Sequence, residues 1–200
     1  MTKRIEKILK DKELLLSNAH PELVHWINAA KTSVSIPVKG IDLSIIFVII
    51  DGKDFFQVTE EILEQLQIDK EELFEAALSN ALKKGVKTIP LSFLLGEKGI
   101  AKKDDMYYMS LEYLDIPYPG SNVMLFPDLF KELADDLGGV DLYVLPSSIY
   151  EVLAFSADVP IDKEYVLGMV TTVNGTMDAD KILSDSVYLY KRKENKIVMM

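Results

Sequence analysis

The sequence predicts an α+β protein: a mixed, mostly antiparallel sheet covered by helices, with a helical extension at the N-terminus. Three observations carry that expectation. Short strand-like apolar runs, such as Leu43 to Ile50 and Val187 to Tyr190, alternate with amphipathic stretches such as Asp69 to Ala81 and Pro127 to Leu137. Asp51-Gly52 and Lys193-Glu194-Asn195 are compact polar turns of the kind that join antiparallel neighbours. Finally, Ile68-Asp69-Lys70-Glu71 returns verbatim as Ile161-Asp162-Lys163-Glu164, each after a pair of apolar runs that opens with Asp-Leu.

Taken in order, Arg4 to Leu16 sets Ile5, Ile8, Leu9, Leu15 and Leu16 near one helical face. Pro21 sits where a first helical residue tolerates proline and predicts a second helix carrying Leu23, Trp26, Ile27 and Ala30. Val34 to Val38 and Leu43 to Ile50 read as strands, the latter apolar on both faces and therefore central. Phe55 to Val58 returns from the Asp51-Gly52 turn, and Glu60 to Leu66 is a short helix. Asp69 and Glu72 form a capping box for a longer helix with Leu73, Phe74, Ala77, Leu78 and Ala81 inward, stopped by Gly85. Thr88 to Leu95 is expected as a strand, and the polar Gly96 to Asp105 as the internal boundary.

Met106 to Leu114 reads as extended, Pro117 to Asn122 as a turn cluster, and Val123 to Phe126 as a short strand. The helix Pro127 to Leu137 follows and ends at Gly138-Gly139. Asp141 to Leu145 is a strand, Pro146-Ser147-Ser148 a tight connection, and Ile149 to Phe155 its continuation or its antiparallel return. Asp162 caps a helix with Val166, Met169, Val170 and Val173 on one side, and Val187 to Tyr190 and Lys196 to Met199 close the chain. The domains read as a helical extension over 1–33 and an α+β domain over 34–200, with a candidate repeat of 34–95 in 106–200.

The matching pieces of a known family are then visible. They are Ile41-Asp42-Leu43-Ser44-Ile45-Ile46-Phe47, Lys70-Glu71-Glu72-Leu73 with Ala76 to Asn80, Leu125-Phe126-Pro127 before Lys131-Glu132-Leu133, Leu145-Pro146-Ser147-Ser148-Ile149, and Leu183-Ser184-Asp185. From Ile36 to Ile197 the chain resembles an uncharacterised bacterial family of unknown function, common in gut-dwelling anaerobes and often carried on mobile elements. The resemblance implies fold and kinship. It also implies that Tyr150 and Ser186 stand where family members often have histidine.

The residues themselves limit the chemistry. A net charge of −10, with Arg4 and Arg192 the only arginines, argues against direct nucleic-acid binding and against arginine forks for phosphate. The chain has no cysteine, which removes disulfides and thiolate chemistry. Its longest apolar run, Ile45 to Ile50, is far below bilayer length, and Met1 to Lys12 is charged throughout, so a cytoplasmic location away from membranes is expected. Ser147 and Ser148 lack a nucleophile elbow and a histidine base, and read as a turn whose hydroxyls cap backbone groups. His20 and His25 are five apart, not the spacing of a two-histidine metal site on one helical face. No phosphate-cradling glycine loop is present, and no cofactor or metal is expected.

Asp185, near Asp42 or Asp141 if the sheet joins them, is the best candidate carboxylate for acid–base work. Tyr150, Tyr188 and Tyr190, with Asp185, are the candidate contact residues for a partner; core packing is the competing reading for the tyrosines. The favoured expectation is a non-catalytic interaction or regulatory module with a protein partner, such as an accessory factor of a mobile element. The alternatives are an acidic inhibitor that mimics nucleic acid and a carboxylate-dependent hydrolase.

Overall fold

Two antiparallel sheets carry the chain, which is of the α+β class. The computed structural model describes residues 2–29, 34–51, 54–83, 85–96, 104–112, 119–146 and 148–200. By its internal contacts the chain divides into two units. The first gathers Met1–Val38 and Leu43–Gly85; the second gathers Lys39–Asp42, Val86–Glu112 and Tyr118–Met200. The division falls at Gly85, ahead of the predicted boundary at Gly96 to Asp105, of which 97–103 lie outside the described residues.

The first unit begins with α1 (Lys3–Ile8) and α2 (Lys12–Asn18). The sequence predicts one continuous helix here. The Asp11 carboxylate instead accepts a hydrogen bond from the Leu14 backbone N–H at 3.0 Å and starts a new helix. A larger correction follows. Pro21 does not open a helix; it lies within strand β1 (Ala19–His25), opposite Phe47 of β3 (Leu43–Asp51). β1 is an edge strand, where the missing proline N–H removes no essential ladder bond. Its alternation, with Ala19, Pro21 and Leu23 buried and His20, Glu22 and Val24 half-buried, is strand periodicity. Trp26–Asn28 is then a single 3-10 turn.

β3 is central, as its doubly apolar run predicts: every residue from Leu43 to Ile49 is buried. One edge pairs with β1 along seven residues. The other is shared by β2 (Ser35–Pro37) at Ser44 to Ile46 and β4 (Asp54–Gln57) at Val48 to Asp51. Residues 52–53, which include the predicted turn glycine, lie outside the described residues. After α3 (Glu60–Leu66), α4 (Lys70–Leu82) is capped by Asp69, whose Oδ1 accepts from the Glu72 N–H at 2.8 Å. α4 packs along β1, burying Leu73, Ala77 and Ala81, while the buried Asn80 amide donates to the carbonyls of Leu16 and Ala19. Each fully buried Leu, Ile or Phe of this core contributes roughly 2 kcal/mol of transfer free energy.

The second unit is a six-stranded antiparallel sheet. β5 (Val86–Pro90), β6 (Tyr107–Leu111), β7 (Leu142–Leu145), β8 (Val152–Ser156), β9 (Tyr188–Lys191) and β10 (Lys196–Met199) stand in the order β10-β9-β7-β8-β6-β5. No parallel pair occurs among the described strands, so the sheets are more uniform than the mixed sheet expected. The strand predicted to run through Leu95 ends at Pro90, and Leu91–Leu94 forms the short helix α5. Val123 to Phe126, expected as a strand, belongs to a 3-10 segment, Gly120–Leu125, leading into α6 (Pro127–Asp136). α6 lays Phe130 against Tyr190, ring centroids 5.8 Å apart. The opposite sheet face, with Tyr143, Leu145 and Phe155, packs against Val166 and Val170 of α7 (Lys163–Asn174).

The candidate repeat keeps its order and loses its pairing. Both strand pairs, β3–β4 and β7–β8, are antiparallel, and Asp69 and Asp162 both cap helices. The last strands differ: β9 pairs with β7, whereas β5 joins β6 and not β3.

Candidate functional site

The most connected polar cluster lies within the second unit and is centred on Asp42. Gly40 takes φ +89°, a left-handed conformation that glycine adopts without strain, and its carbonyl accepts from the Met199 N–H at 2.9 Å. This turn presents Asp42 to the start of β9. Ser184 and Ser186 donate their hydroxyls to Asp42 Oδ2 at 2.9 and 2.8 Å, and the Tyr188 hydroxyl donates to Oδ1. The chain bends at Asp185, where the Ser186 N–H donates to Ser184 Oγ at 2.9 Å, and this turn brings both serines to the carboxylate that Tyr188 reaches from the first residue of β9. From the other side, the buried Asn174 at the end of α7 donates its amide to the Ser184 carbonyl at 3.0 Å and to Asp185 Oδ1 at 2.7 Å. Asn174 Oδ1 is buried without a hydrogen-bond partner.

Burial alone would raise the Asp42 pKa; the hydrogen bonds from Tyr188, Ser186 and Ser184 outweigh it and hold the carboxyl below its ordinary value. Burial, reinforced by Asp42, pushes the Tyr188 phenol upward. Asp42 is therefore a fixed anion and a weak base, and Tyr188 stays protonated. The arrangement holds charge and pins two loops; it does not move protons.

Asp42→Asn is expected to cost about 2 kcal/mol in urea unfolding, because charge-assisted bonds become neutral ones and one acceptor oxygen becomes a donor. The pH dependence has a definite sign. A lowered folded pKa means that the stabilisation is present above the ordinary aspartate value and is lost as pH falls through the folded one. An Asn variant as stable as the parent at pH 7 would remove the clasp.

The sequence-predicted residues divide. Asp185 is exposed, and its neighbours Ser184 and Ser186 are those that bind Asp42. Asp141 is not part of the cluster: its Oδ1 accepts from the Arg192 N–H. Tyr188 and Tyr190 share a sheet face as expected, but both are fully buried, with Tyr190 OH donating to Asn195 Oδ1, so core packing describes them and a surface anchor does not. Tyr150 is half-buried, its N–H donating to Ser148 Oγ, which fits the expected turn role of that hydroxyl. Ser147 lies outside the described residues. His20 and His25 fall on opposite faces of β1, and His25 neighbours Trp26 at 6.0 Å between rings. Among the described residues no cluster of three or more His, Asp or Glu is placed to hold a metal.

Three features escaped the sequence reading. The Glu151 pKa is raised by burial while a hydrogen bond with the buried Ser148 side chain pulls the other way; Glu151 itself is half-buried. Glu22, read as helical, lies in β1 between His20 and Val24 and opposite Ile46, and burial pushes its pKa up to about 7. The third is the outer flank of α7. Tyr165 and Val173 remain 64% and 45% exposed, beside an open groove of about 610 Å³. Glu164, Tyr165, Gly168, Met169, Thr172 and Val173 line it.

A family model described as a family of unknown function matches residues 21–192, most of the chain. No curated protein and no solved structure matches it. No helix among the described residues is long and apolar enough to cross a membrane.

Proposed function

The chain belongs to the family of unknown function DUF5688, and from that premise we propose that it is a non-catalytic interaction or regulatory module whose contact surface is the outer flank of α7. One observation carries this reading. α7 is firmly packed through Val166 and Val170, yet leaves Tyr165 and Val173 in water along a groove. Organised apolar exposure on a rigid helix is characteristic of partner sites. Asp185, exposed next to the end of α7, and the half-buried Tyr150 remain further candidate contact residues, outside the lining of that groove. The wider setting we infer is a cytoplasmic accessory factor of a bacterial mobile element, in keeping with the sequence resemblance.

The alternatives find less support. A hydrolase centred on Asp185 and Asp42 finds no base in Asp42, whose carboxylate accepts three hydroxyls and is held as a low-pKa anion. Mimicry of nucleic acid needs rows of free acids, whereas Asp51, Glu60, Glu72, Asp135, Asp178 and Glu194 are each paired with a lysine or arginine.

A photo-crosslinking aromatic amino acid at Tyr165, introduced in the native host, is expected to give a discrete light-dependent adduct. The same residue at the exposed Glu132 of α6 serves as control. No adduct at Tyr165, or equal labelling at both positions, would sink the reading.

A further inference from the structure

We propose that two copies of this chain pair through β5, edge to edge and antiparallel about Thr88, so that their six-stranded sheets continue into one. This surface shares no residue with the flank of α7, and the inference goes beyond the interaction reading above.

The two edges of the sheet are not alike. At the β10 edge the chain covers itself, since the Met199 N–H donates to the Gly40 carbonyl at 2.9 Å. The β5 edge is bare. β5 pairs with β6 along all five of its residues, and the Leu91 N–H continues that ladder to the Met106 carbonyl at 2.7 Å. Backbone groups of an antiparallel strand alternate between its two sides. In step with Leu91, therefore, Ile89 and Lys87 bond to β6, while Val86, Thr88 and Pro90 point their groups away. Among the described residues nothing is hydrogen-bonded to these outward groups, and Thr88 is exposed. Two N–H groups and three carbonyls thus stand in a row ready for a further strand.

Register selects a second copy as the occupant. Three two-fold registers set outward groups opposite one another. Centring on Lys87 puts the two lysines face to face, which destabilises the pair. Centring on Ile89 leaves Val86 of each copy beyond the end of the other strand. Centring on Thr88 satisfies every outward N–H: the two Thr88 residues exchange bonds, and each Val86 donates to the Pro90 carbonyl opposite. Lys87 then faces Ile89. Lysine and proline blunt an edge against indiscriminate pairing, and here they leave one arrangement open. A foreign extended segment could meet the same groups, but nothing in this row would fix its register.

The surroundings permit close approach. Val86 to Leu95 contains no acidic residue, so the −10 charge of the chain is not concentrated on this stretch. The Lys87 amine is drawn back over the Tyr108 ring of its own chain, 5.8 Å from the centroid. Phe93, Leu94 and Leu95, at and just beyond α5, are exposed close after Pro90. Two-fold symmetry brings them to the Val86 end of the other copy and adds apolar area that backbone bonds alone lack.

Sedimentation velocity of the full chain measures the pairing, and a reversible dimer is expected. Thr88→Pro removes an N–H that β6 does not use, and is expected to weaken association tenfold or more with an unchanged circular dichroism spectrum. The chain has no cysteine, so Thr88→Cys supplies a single thiol that faces its own copy. That variant is expected to give a disulfide-linked dimer on mild oxidation, well ahead of Glu132→Cys on the exposed side of α6. It keeps the test decisive even where proline disturbs the fold.

A chain that stays monomeric at about 1 mM overturns the proposal. So does a dimer that Thr88→Cys links no faster than Glu132→Cys, association unchanged in a folded Thr88→Pro, or growth that does not stop at two. A monomer whose position-88 thiol links to another protein in the native host overturns it in favour of an extended segment of that protein. None of these outcomes bears on the α7 surface, which the crosslink at Tyr165 reads separately.

Discussion

Gly120→Ala is expected to destabilise the second unit by at least about 3 kcal/mol, because one added methyl group has nowhere to go. A Cβ on Gly120 would lie 2.1 Å from the Tyr150 carbonyl oxygen and 2.8 Å from Ser110 Cβ. The first of these neighbours is backbone and cannot swing aside as a side chain would. Its position is held from both ends: Ser121 donates its N–H and its hydroxyl to the Ile149 carbonyl at 3.2 and 2.8 Å, and Tyr150 N–H is tied to Ser148. Moving the 3-10 segment outward would instead uncover Val123 and Met124, which are buried. Urea unfolding of the variant measures the cost. A loss below about 1 kcal/mol would mean that the two segments approach less closely than the structure shows.

This contact also shows where sequence reading stops. Pro119 and Gly120 mark a turn in the sequence, but nothing local says that another backbone lies against it. The elements that were legible are those whose pattern is self-contained. Leu43–Asp51 is apolar on both faces and is central. Asp69 with Glu72 and Asp162 with Glu164 announce helix starts, and both aspartates cap as expected. The misread elements are those decided by distant partners. Ala19–His25 becomes a strand because β3 offers it a seven-residue edge, although Pro21 alone suggests a helix start. Gly120–Leu125 coils into 3-10 turns under β6, although Val123 to Phe126 is apolar enough for a strand.

The candidate site was half legible for the same reason. The motif Leu183-Ser184-Asp185 marks the right segment, and Asp42 or Asp141 is the carboxylate expected beside it if the sheet joins them. The roles were not legible. Asp185 looks like the functional acid, yet Asp42 takes the three hydroxyls, because the chain bends at Asp185, where Ser186 N–H donates to Ser184 Oγ, and Ser184, Ser186 and Tyr188 converge on the Gly40 loop while Asp185 stays exposed. The α7 flank was invisible for a different reason. Val166, Val170 and Val173 look equally apolar in sequence, and only the packed sheet decides that the first two are covered while the third stays in water.

Glu22→Gln is expected to stabilise the protein by about 3 kcal/mol at pH 8 and by almost nothing at pH 4. Glu22 lies on the β1 face shared with His20 and Val24, and its cross-strand row holds Ile46 and then Ser35, neither of which carries a charge. Burial therefore moves its pKa from 4.5 to about 7. Between those values the folded chain binds a proton that the unfolded chain has released, so folding stability falls as pH rises across that window and levels off above it. Glutamine has nearly the same shape and never ionises, so the variant escapes the penalty. Asp42 and Glu151 titrate in both proteins and cancel in the difference. Urea unfolding at intervals from pH 4 to pH 8 measures that difference directly. Curves for parent and variant that run parallel across the range would show that Glu22 ionises in the fold as freely as in water, and that its strand does not bury it.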